Sequence, residues 1–417
     1  MKYAIVTFGC RVNQADTLGF EEDLLARGAV PASPDQADLV LVNTCSVTAT
    51  ADQGARQTIR RIARDNPAAR IVVTGCYATR RPDEVANLPG VVRVVSNADK
   101  PHLLSLVTSN FNMTTAERFG QGDGACGAAI EPGVAGRTSF TLRVQMGCAE
   151  QCSYCIIPAT RGRPRSVTIE QTLSEVDRIA AAGFKEIALT GVHLGSFGRD
   201  LQPATSLAAL LRALTTRSGV LFRISSLEPM DCAEEVIDLV ADGGCFAPHF
   251  HLPLQHASDR MLVSMRRPYT VEYYAGLVNR IRSRIPHASI GSDVIVGFPG
   301  ETDEDFDQVE SYLESSPLTH AHVFPYSDRP GTVAAAMRTR VPGGVIRERG
   351  RRIREVSAQL AHKFRESQVG TVRPGLTIDD GTTVVTDNYL KLRIPAGSAR
   401  NTSVRVRILS HQEGEVA

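Results

Sequence analysis

Three cysteines in MGCAEQCSYCIIP, Cys148, Cys152 and Cys155, stand in a C-x3-C-x2-C run. Thiolates this close in sequence can wrap one iron–sulfur cubane, and a four-iron cluster held by three of them keeps one iron open to a substrate or cofactor. A zinc site short of its fourth ligand, or simply buried cysteines, is the alternative for the same spacing. Cys10 (TFGC), Cys45 (VNTC) and Cys76 (VTGC) are spread over 67 positions, yet each follows a short β-type run. If those runs are parallel strands of one open sheet, their carboxyl ends share its usual ligand edge, and the three thiols can meet there as a second such site. The alternative is three unrelated small hydrophobes at strand ends. Cys126, in a Gly-rich stretch, and Cys232 and Cys245, flanking a predicted helix, are expected to be non-ligands.

The elements that must position these residues follow from the pattern of apolar and turn residues. Candidate strands Tyr3–Phe8, Leu39–Asn43, Ile71–Thr74 and Val91–Val95 alternate with helical stretches such as Gln14–Ala26 and Val47–Asn66, which predicts an open parallel sheet over residues 1–116. Residues 117–137 are rich in glycine and are expected to be a linker. From 138 to 337 six strand candidates, Thr141–Met146, Glu186–Thr190, Leu221–Ser226, His249–Leu254, Ser292–Gly297 and Ala321–Tyr326, alternate with helices such as Thr168–Ala182 and Thr302–Ser315. Six βα units predict a partial (β/α)6 barrel with its chemistry at the carboxyl ends of the strands. A basic helical segment, 338–366, overlaps the helix expected from Arg347 to Gln368, and short β-type runs over 367–417 predict a small all-β barrel of four or five strands. The fold class is therefore α/β with an all-β end.

At 417 residues, 42% hydrophobic and 22% charged, the chain has material for two or three cores, which excludes disordered and fibrous classes. No apolar run approaches the roughly 18 residues of a membrane span. The N-terminal apolar run breaks at once into CRVNQAD, so a cytoplasmic location without a membrane partner is expected, and reduced thiols fit that compartment. The net charge of +1 predicts no partner, but Arg338 to Arg365 holds nine basic residues against two acidic ones.

The C-x3-C-x2-C run closely resembles the signature of the radical S-adenosylmethionine superfamily. With TFGCRVNQAD, VNTCSVT, VTGCYA, LTGVHLGSFG, SSLEP, HLPLQHASD, DVIVGFPGET and HVFPYSDRPGT it resembles the methylthiotransferases nearly end to end. GCRVNQ, GVHLGSFG and HVFPYS most resemble the branch that modifies tRNA N6-threonylcarbamoyladenosine. The resemblance implies an N-terminal part carrying an auxiliary cluster, a central radical barrel and a C-terminal TRAM domain of OB-like shape that holds RNA. It implies two [4Fe–4S] clusters and S-adenosylmethionine as cofactors. One molecule of the cofactor would methylate sulfur at the Cys10/Cys45/Cys76 cluster. A second, at the Cys148/Cys152/Cys155 cluster, would yield the radical that takes hydrogen from C2 of adenine at tRNA position 37, an unactivated carbon beyond acid–base chemistry. The expected partners are the tRNA anticodon stem-loop, an external electron donor and a sulfur donor. Rival substrates are an isopentenyladenosine tRNA or an aspartate of a ribosomal protein; a rival of another class is a non-catalytic iron–sulfur RNA-binding protein.

Beyond the cysteines, Thr190 and Gly191 stand where the superfamily uses a turn for the methionyl amine. Ser226, Glu228, Gln255, Gly297 and Glu301 are further cofactor candidates at strand ends, against a core or capping role. Tyr154 is expected to pack over the cluster or the adenine. His193 and His251 are expected to be wall residues of the barrel mouth. Where the family shows Gln-Ser-Gly after LPL, this chain has Gln255, His256 and Ala257. For RNA phosphates the candidates are Arg161, Arg163, Arg165, Arg347, Arg351 and Arg354, with Lys391, Arg393, Arg400, Arg405 and Arg407 near the C-terminus. Tyr389 is a candidate stacking aromatic.

Overall fold

The computed structural model describes residues 1–108, 132 and 138–417. The Gly-rich stretch expected as a linker therefore lies almost wholly outside the described residues, and Cys126 with it.

The first sheet is built from β1 (Lys2–Thr7), β2 (Val30–Pro31), β3 (Leu39–Thr44), β4 (Arg70–Gly75) and β5 (Val91–Val94), all parallel, in the order β2-β1-β3-β4-β5. α1 (Arg11–Ala26), α2 (Ala49–Asp65), α3 (Cys76–Arg80), α4 (Pro82–Ala86) and α5 (Leu103–Thr108) connect and cover it. LVLVNT in β3 is buried throughout, as a central strand covered on both faces must be. Helix α2 starts two residues later than the apolar pattern suggests, because Thr48 caps it by accepting from the Ala51 N–H.

The barrel consists of β6 (Phe140–Arg143), β9 (Glu186–Thr190) and β10 (Leu221–Ile224) in one parallel sheet and β11 (His249–His251), β12 (Ser289–Val296) and β13 (His320–Pro325) in another. A parallel bridge from Phe222 to Phe246 couples the two halves, so six strands form an open barrel. The expected strand Thr141–Met146 is interrupted at Val144. Gln145 turns the chain by donating from Nε2 to the carbonyls of Met146 and Gly147, and β7 (Gln145–Met146) pairs antiparallel with β8 (Arg165–Ser166) instead. β11 is shorter than expected because Pro253 has no N–H to continue a ladder. Around the barrel lie α6 (Ile157–Arg161), α7 (Ile169–Ala181), α8 (Leu207–Leu214), α9 (Glu234–Ala241), α10 (Asp259–Ser264), α11 (Val271–Arg284) and α12 (Asp303–Ser315). Capping boxes at Thr168/Gln171 and Thr302/Asp305 fix the starts of α7 and α12. One large apolar core joins α7, α8, α9, α11 and α12 to the strands, and α10 places Met261 in a smaller cluster.

α13 (Gly343–Gln368) packs Ile353, Val356 and Leu360 on that core and begins four residues before the expected Arg347, after Pro342. The chain ends in an antiparallel sheet of β14 (Val372–Ile378), β15 (Thr383–Thr386), β16 (Lys391–Arg393), β17 (Ser403–Ile408) and β18 (Gly414–Val416), in the order β16-β15-β14-β17-β18. A bridge between Arg393 and Glu413 draws its two edges together. Among the described residues no helix is long and apolar enough to cross a membrane.

Candidate iron–sulfur and cofactor site

Parallel register sets the ends of β1, β3 and β4 level, with Thr7 beside Asn43 and Thr44 beside Gly75. Cys10 therefore caps α1, Cys45 follows β3 and Cys76 opens α3, all on one sheet edge. Two glycines make the approach possible. Gly9 has φ +89° and a Cβ there would lie 2.6 Å from Cys45 Sγ; Gly75 has φ +98° and a Cβ would lie 2.2 Å from the Thr44 carbonyl oxygen. Burial pushes the Cys45 thiol up to about 11, and the Cys10 and Cys76 thiolates nearby add to the rise. Burial also acts upward on Cys76, but the Arg161 and Lys100 cations and hydrogen bonds from Arg161 and Asn97 hold that thiol below its ordinary value.

The second triad is local. Gly147, at φ +76°, leaves no room for a Cβ, which would lie 2.0 Å from the Arg163 carbonyl oxygen. The loop is pinned by Cys148 N–H donating to the Gly162 carbonyl (3.1 Å) and Ser153 N–H to that of Met265 (3.1 Å). Arg267 Nη1 donates to Cys152 Sγ at 3.0 Å, and His193 Nδ1 lies 3.9 Å from Cys148 Sγ. His193 Nε2 meets Asp231 Oδ2 at 2.7 Å. Burial opposes protonation of His193, but Asp231 and Cys148 outweigh it and raise its pKa to about 9. Burial pushes the Cys155 thiol up to about 12. A thiol raised by burial among other thiols gives up its proton to a metal more readily than to water, and none of the described cysteines is in a disulfide. Both donor sets thus fit a cluster held by three thiolates.

One side chain ties the two triads together. Arg161, six residues after Cys155, donates from Nε to Cys76 Sγ at 3.4 Å and from Nη1 to Asp16 Oδ2 at 3.1 Å, and its Nη2 meets Asn13 Oδ1. Asp16 also holds Lys100 at 2.5 Å and pairs with Arg143 of β6. A second buried carboxylate, Asp52, joins Arg80 at 2.5 Å to Arg329 at 2.7 Å from beyond β13. These buried ion pairs fix the first sheet against the open side of the barrel. Arg161 is thus 4% exposed and fully occupied, so the expectation that it contacts RNA phosphate is corrected. Its neighbours Arg163 and Arg165 are exposed.

Other expectations sort by contact. Glu228 pairs with Arg267 and so reaches the loop triad through Cys152. Tyr154 packs beside the triad against Met261, Met265 and Phe298. Thr190 is buried and its carbonyl accepts from Val144; Gly191 packs on Gln145; Ser226 is exposed beyond β10; Gln255 bridges to β12 at φ +67°. Glu301 is corrected as a cofactor candidate. Gly297 is closely packed, since a Cβ there would lie 2.4 Å from Ile346. Glu301 is consumed by the Gly297 N–H (2.7 Å), the Phe298 N–H (3.2 Å) and Arg349 (2.5 Å). The basic helix is largely neutralised. Arg349 is buried on Glu301, Arg352 pairs with Glu310, and Arg351 holds both Glu348 (2.5 Å) and Glu355 (2.6 Å). Arg351 is thus paired twice at the surface, and Arg347 and Arg354 are exposed. The Tyr389 hydroxyl accepts from Arg11 (3.0 Å), Arg223 lies 4.5 Å from its ring centroid and the His249 ring 4.9 Å away, while the residue stays 45% exposed. Lys391 and Arg405 lie exposed on the last sheet.

Sequence reasoning missed Asn13, Asp16, Lys100 and Arg267. Asn13 and Asp16 lie inside the quoted CRVNQAD, spaced by one helical turn, which was the available signal. Lys100 and Arg267 carry none.

The model described as Uncharacterized protein family UPF0004 matches residues 2–97, and that of the Radical SAM superfamily matches 142–313. The chain is 37% identical over 415 residues to the threonylcarbamoyladenosine tRNA methylthiotransferase MtaB of Aquifex aeolicus, covering 98% of this chain and 100% of that protein. It belongs to the radical S-adenosylmethionine methylthiotransferase family. The methylthiotransferase is also 32% identical over 383 residues to the tRNA-2-methylthio-N(6)-dimethylallyladenosine synthase of Carboxydothermus hydrogenoformans, covering 89% of this chain and 86% of that one. Its fold is shared with the radical S-adenosylmethionine methyltransferase TsrM of Kitasatospora setae, with TM-score 0.57, 18% identity, and coverage of 80% of this chain and 77% of the other. An iron–sulfur cluster and S-adenosylmethionine are therefore among the cofactors of this methylthiotransferase.

Proposed function

We propose that this methylthiotransferase places a methylthio group on C2 of N6-threonylcarbamoyladenosine at position 37 of tRNA, with two [4Fe–4S] clusters, one per cysteine triad, and external donors of electrons and sulfur. The observation that carries the two-cluster reading is Arg161, which starts from the loop triad's own segment and donates to Cys76 of the other. When bound, the cofactors supply a radical able to take hydrogen from an unactivated carbon and a sulfur to replace it. The chain's residues do the holding. Arg161 and Lys100 draw the Cys76 thiol below its ordinary pKa, Arg267 donates to Cys152, and burial raises the thiols of Cys45 and Cys155. The name of the Aquifex relative supports the threonylcarbamoyl substrate. The test is mass spectrometry of nucleosides from tRNA bearing either modification after incubation with anaerobically reconstituted protein, reductant, S-adenosylmethionine and sulfide. The methylthio product is expected on threonylcarbamoyladenosine. Methylthio transfer to the dimethylallyl tRNA alone would overturn the substrate, and absence of 5′-deoxyadenosine with every tRNA would overturn the enzyme reading.

A further inference from the structure

The barrel lumen holds a group of ligating side chains that neither cysteine triad uses. Register sets His251 of β11 beside Gly291 of β12, and Asp293 of β12 beside His322 of β13. Residues two apart on a strand share a face, so the three converge on one side of the sheet. Gly291 opens the space for them, since a Cβ there would lie 3.0 Å from His251 Nδ1 and 2.5 Å from His320 Nε2. His251 Nε2 is 3.0 Å and His322 Nδ1 3.2 Å from the same Oδ1 of Asp293, and one ligand atom from each of the three lies within 4.8 Å of the others.

Two imidazoles and one carboxylate form the borderline donor set of zinc and its first-row neighbours, and are poorly suited to magnesium or calcium. In a tetrahedral zinc site with bonds of about 2.0–2.1 Å, neighbouring ligand atoms stand about 3.3 Å apart. The two separations around Asp293 are close to that edge. We propose that His251, Asp293 and His322 form a divalent-cation site of the zinc class in the barrel lumen, separate from both cysteine triads. Three protein ligands leave a position for water or an oxygen of a bound molecule, and the His322 side chain, 59% exposed, keeps the group accessible. His320 lies outside the group whose ligand atoms converge within 4.8 Å, and its Nδ1 meets Thr319 Oγ1 at 2.9 Å.

The proposal does not depend on the reaction and is tested by metal binding. The full chain, reconstituted anaerobically with iron and sulfide and stripped of loose metal on a chelating resin, is titrated with Zn2+ against a chromophoric chelator, and zinc and iron are counted. One zinc per chain is expected, with affinity lowered on the order of tenfold or more in His322→Gln and in Asp293→Asn while iron per chain is unchanged. His322 is exposed enough that its replacement tests the site without straining the core, and His251→Gln supplies a further variant. Co2+ in place of Zn2+ should give ligand-field bands without a thiolate charge-transfer band. No zinc bound, equal affinity in His322→Gln, or a cobalt–thiolate spectrum would each overturn the site and leave a hydrogen-bonded triad only.

Discussion

Cys148, Cys152 and Cys155 lie within eight consecutive residues, whereas Cys10, Cys45 and Cys76 are delivered by three different strands. Both triads use the same local device, a glycine with positive φ before a cysteine: Gly9, Gly75 and Gly147. They differ in what supports them. The loop triad is pinned by groups of the barrel itself, Arg267, His193 and the Met265 carbonyl. The sheet-edge triad depends on a buried charge network that includes Arg143 and Arg161 from the barrel. The first site is therefore complete within one body, and the second is complete only when two bodies are packed together.

The largest expected effect separates the two outright. Replacing Cys148, Cys152 and Cys155 together by alanine should lower iron in the reconstituted protein from about eight to about four per chain, as for the loss of one cubane, and abolish 5′-deoxyadenosine formation. Replacing Cys10, Cys45 and Cys76 should remove the same amount of iron while 5′-deoxyadenosine formation persists and methylthio transfer stops. Iron falling from four to none in the first variant would leave a single cluster and end the comparison.

Arg161→Ala sharpens it. Removing one partner of a buried network leaves uncompensated charge and costs about 3 kcal/mol, so a lower melting temperature is expected, with iron lost selectively from the sheet-edge triad. Arg161→Lys should restore charge beside Asp16 but not the donors to both Cys76 and Asn13, and should recover stability more than iron. Equal loss of iron from both triads would show that Arg161 supports the fold alone.

The loop triad was legible because its geometry is local: three thiols in one turn-sized segment need no knowledge of the rest of the chain. The sheet-edge triad became legible only once the strands were placed, since strand ends of a parallel sheet share an edge whatever the separation in sequence. What could not be read was pairing between distant charges. Arg161 and Arg163 look alike in ATRGRPRS, yet one is buried on Asp16, 145 residues away, and the other is exposed. Charge counting failed on α13 for the same reason, because Glu301 and Glu310, which hold Arg349 and Arg352, lie on or beside α12 and not on the basic helix.

Gly75→Ala is the next effect in size. It forces a Cβ to 2.2 Å from the Thr44 carbonyl at a left-handed φ, and about 2–4 kcal/mol of stability should be lost. Gly28→Ala has φ +74° but nothing within 4 Å, and should cost only about 1 kcal/mol. Thermal melts of the pair separate strain from collision; similar losses would mean that the close approach at the sheet edge is not what the glycine serves.

The contact between α1 and α7 predicts a pH dependence. Burial pushes the Glu22 carboxyl from 4.5 up to about 7, and Arg178 at 3.4 Å offsets this only in part. A carboxyl that binds its proton more tightly in the folded state makes stability fall as pH rises from about 4.5 to about 7, by at most about 3 kcal/mol. Glu22→Gln should flatten that stretch of the denaturation profile and raise stability at pH 7.5. An unchanged profile would mean that Arg178 compensates the carboxylate fully.

The smallest expected effect concerns RNA, and it rests on how the exposed cations are paired within the protein. Arg351 is held by two glutamates on its own helix, at spacings of three and four residues. Arg393 instead lines, with Arg365, Lys391, His362 and His411, a groove of about 620 Å³ between α13 and the last sheet, where Lys391 pairs with Asp379 at 3.4 Å and Arg365 donates to the His411 carbonyl. Arg393→Ala should therefore weaken tRNA binding a few-fold and reduce the salt dependence of the binding constant by about one unit of slope. Arg351→Ala should leave both unchanged, because the neighbouring glutamates already cancel its field. The same slope lost from either variant would show that phosphate outcompetes the helix's own carboxylates, and that net charge along α13, and not the pattern of internal pairs, sets where the RNA lies.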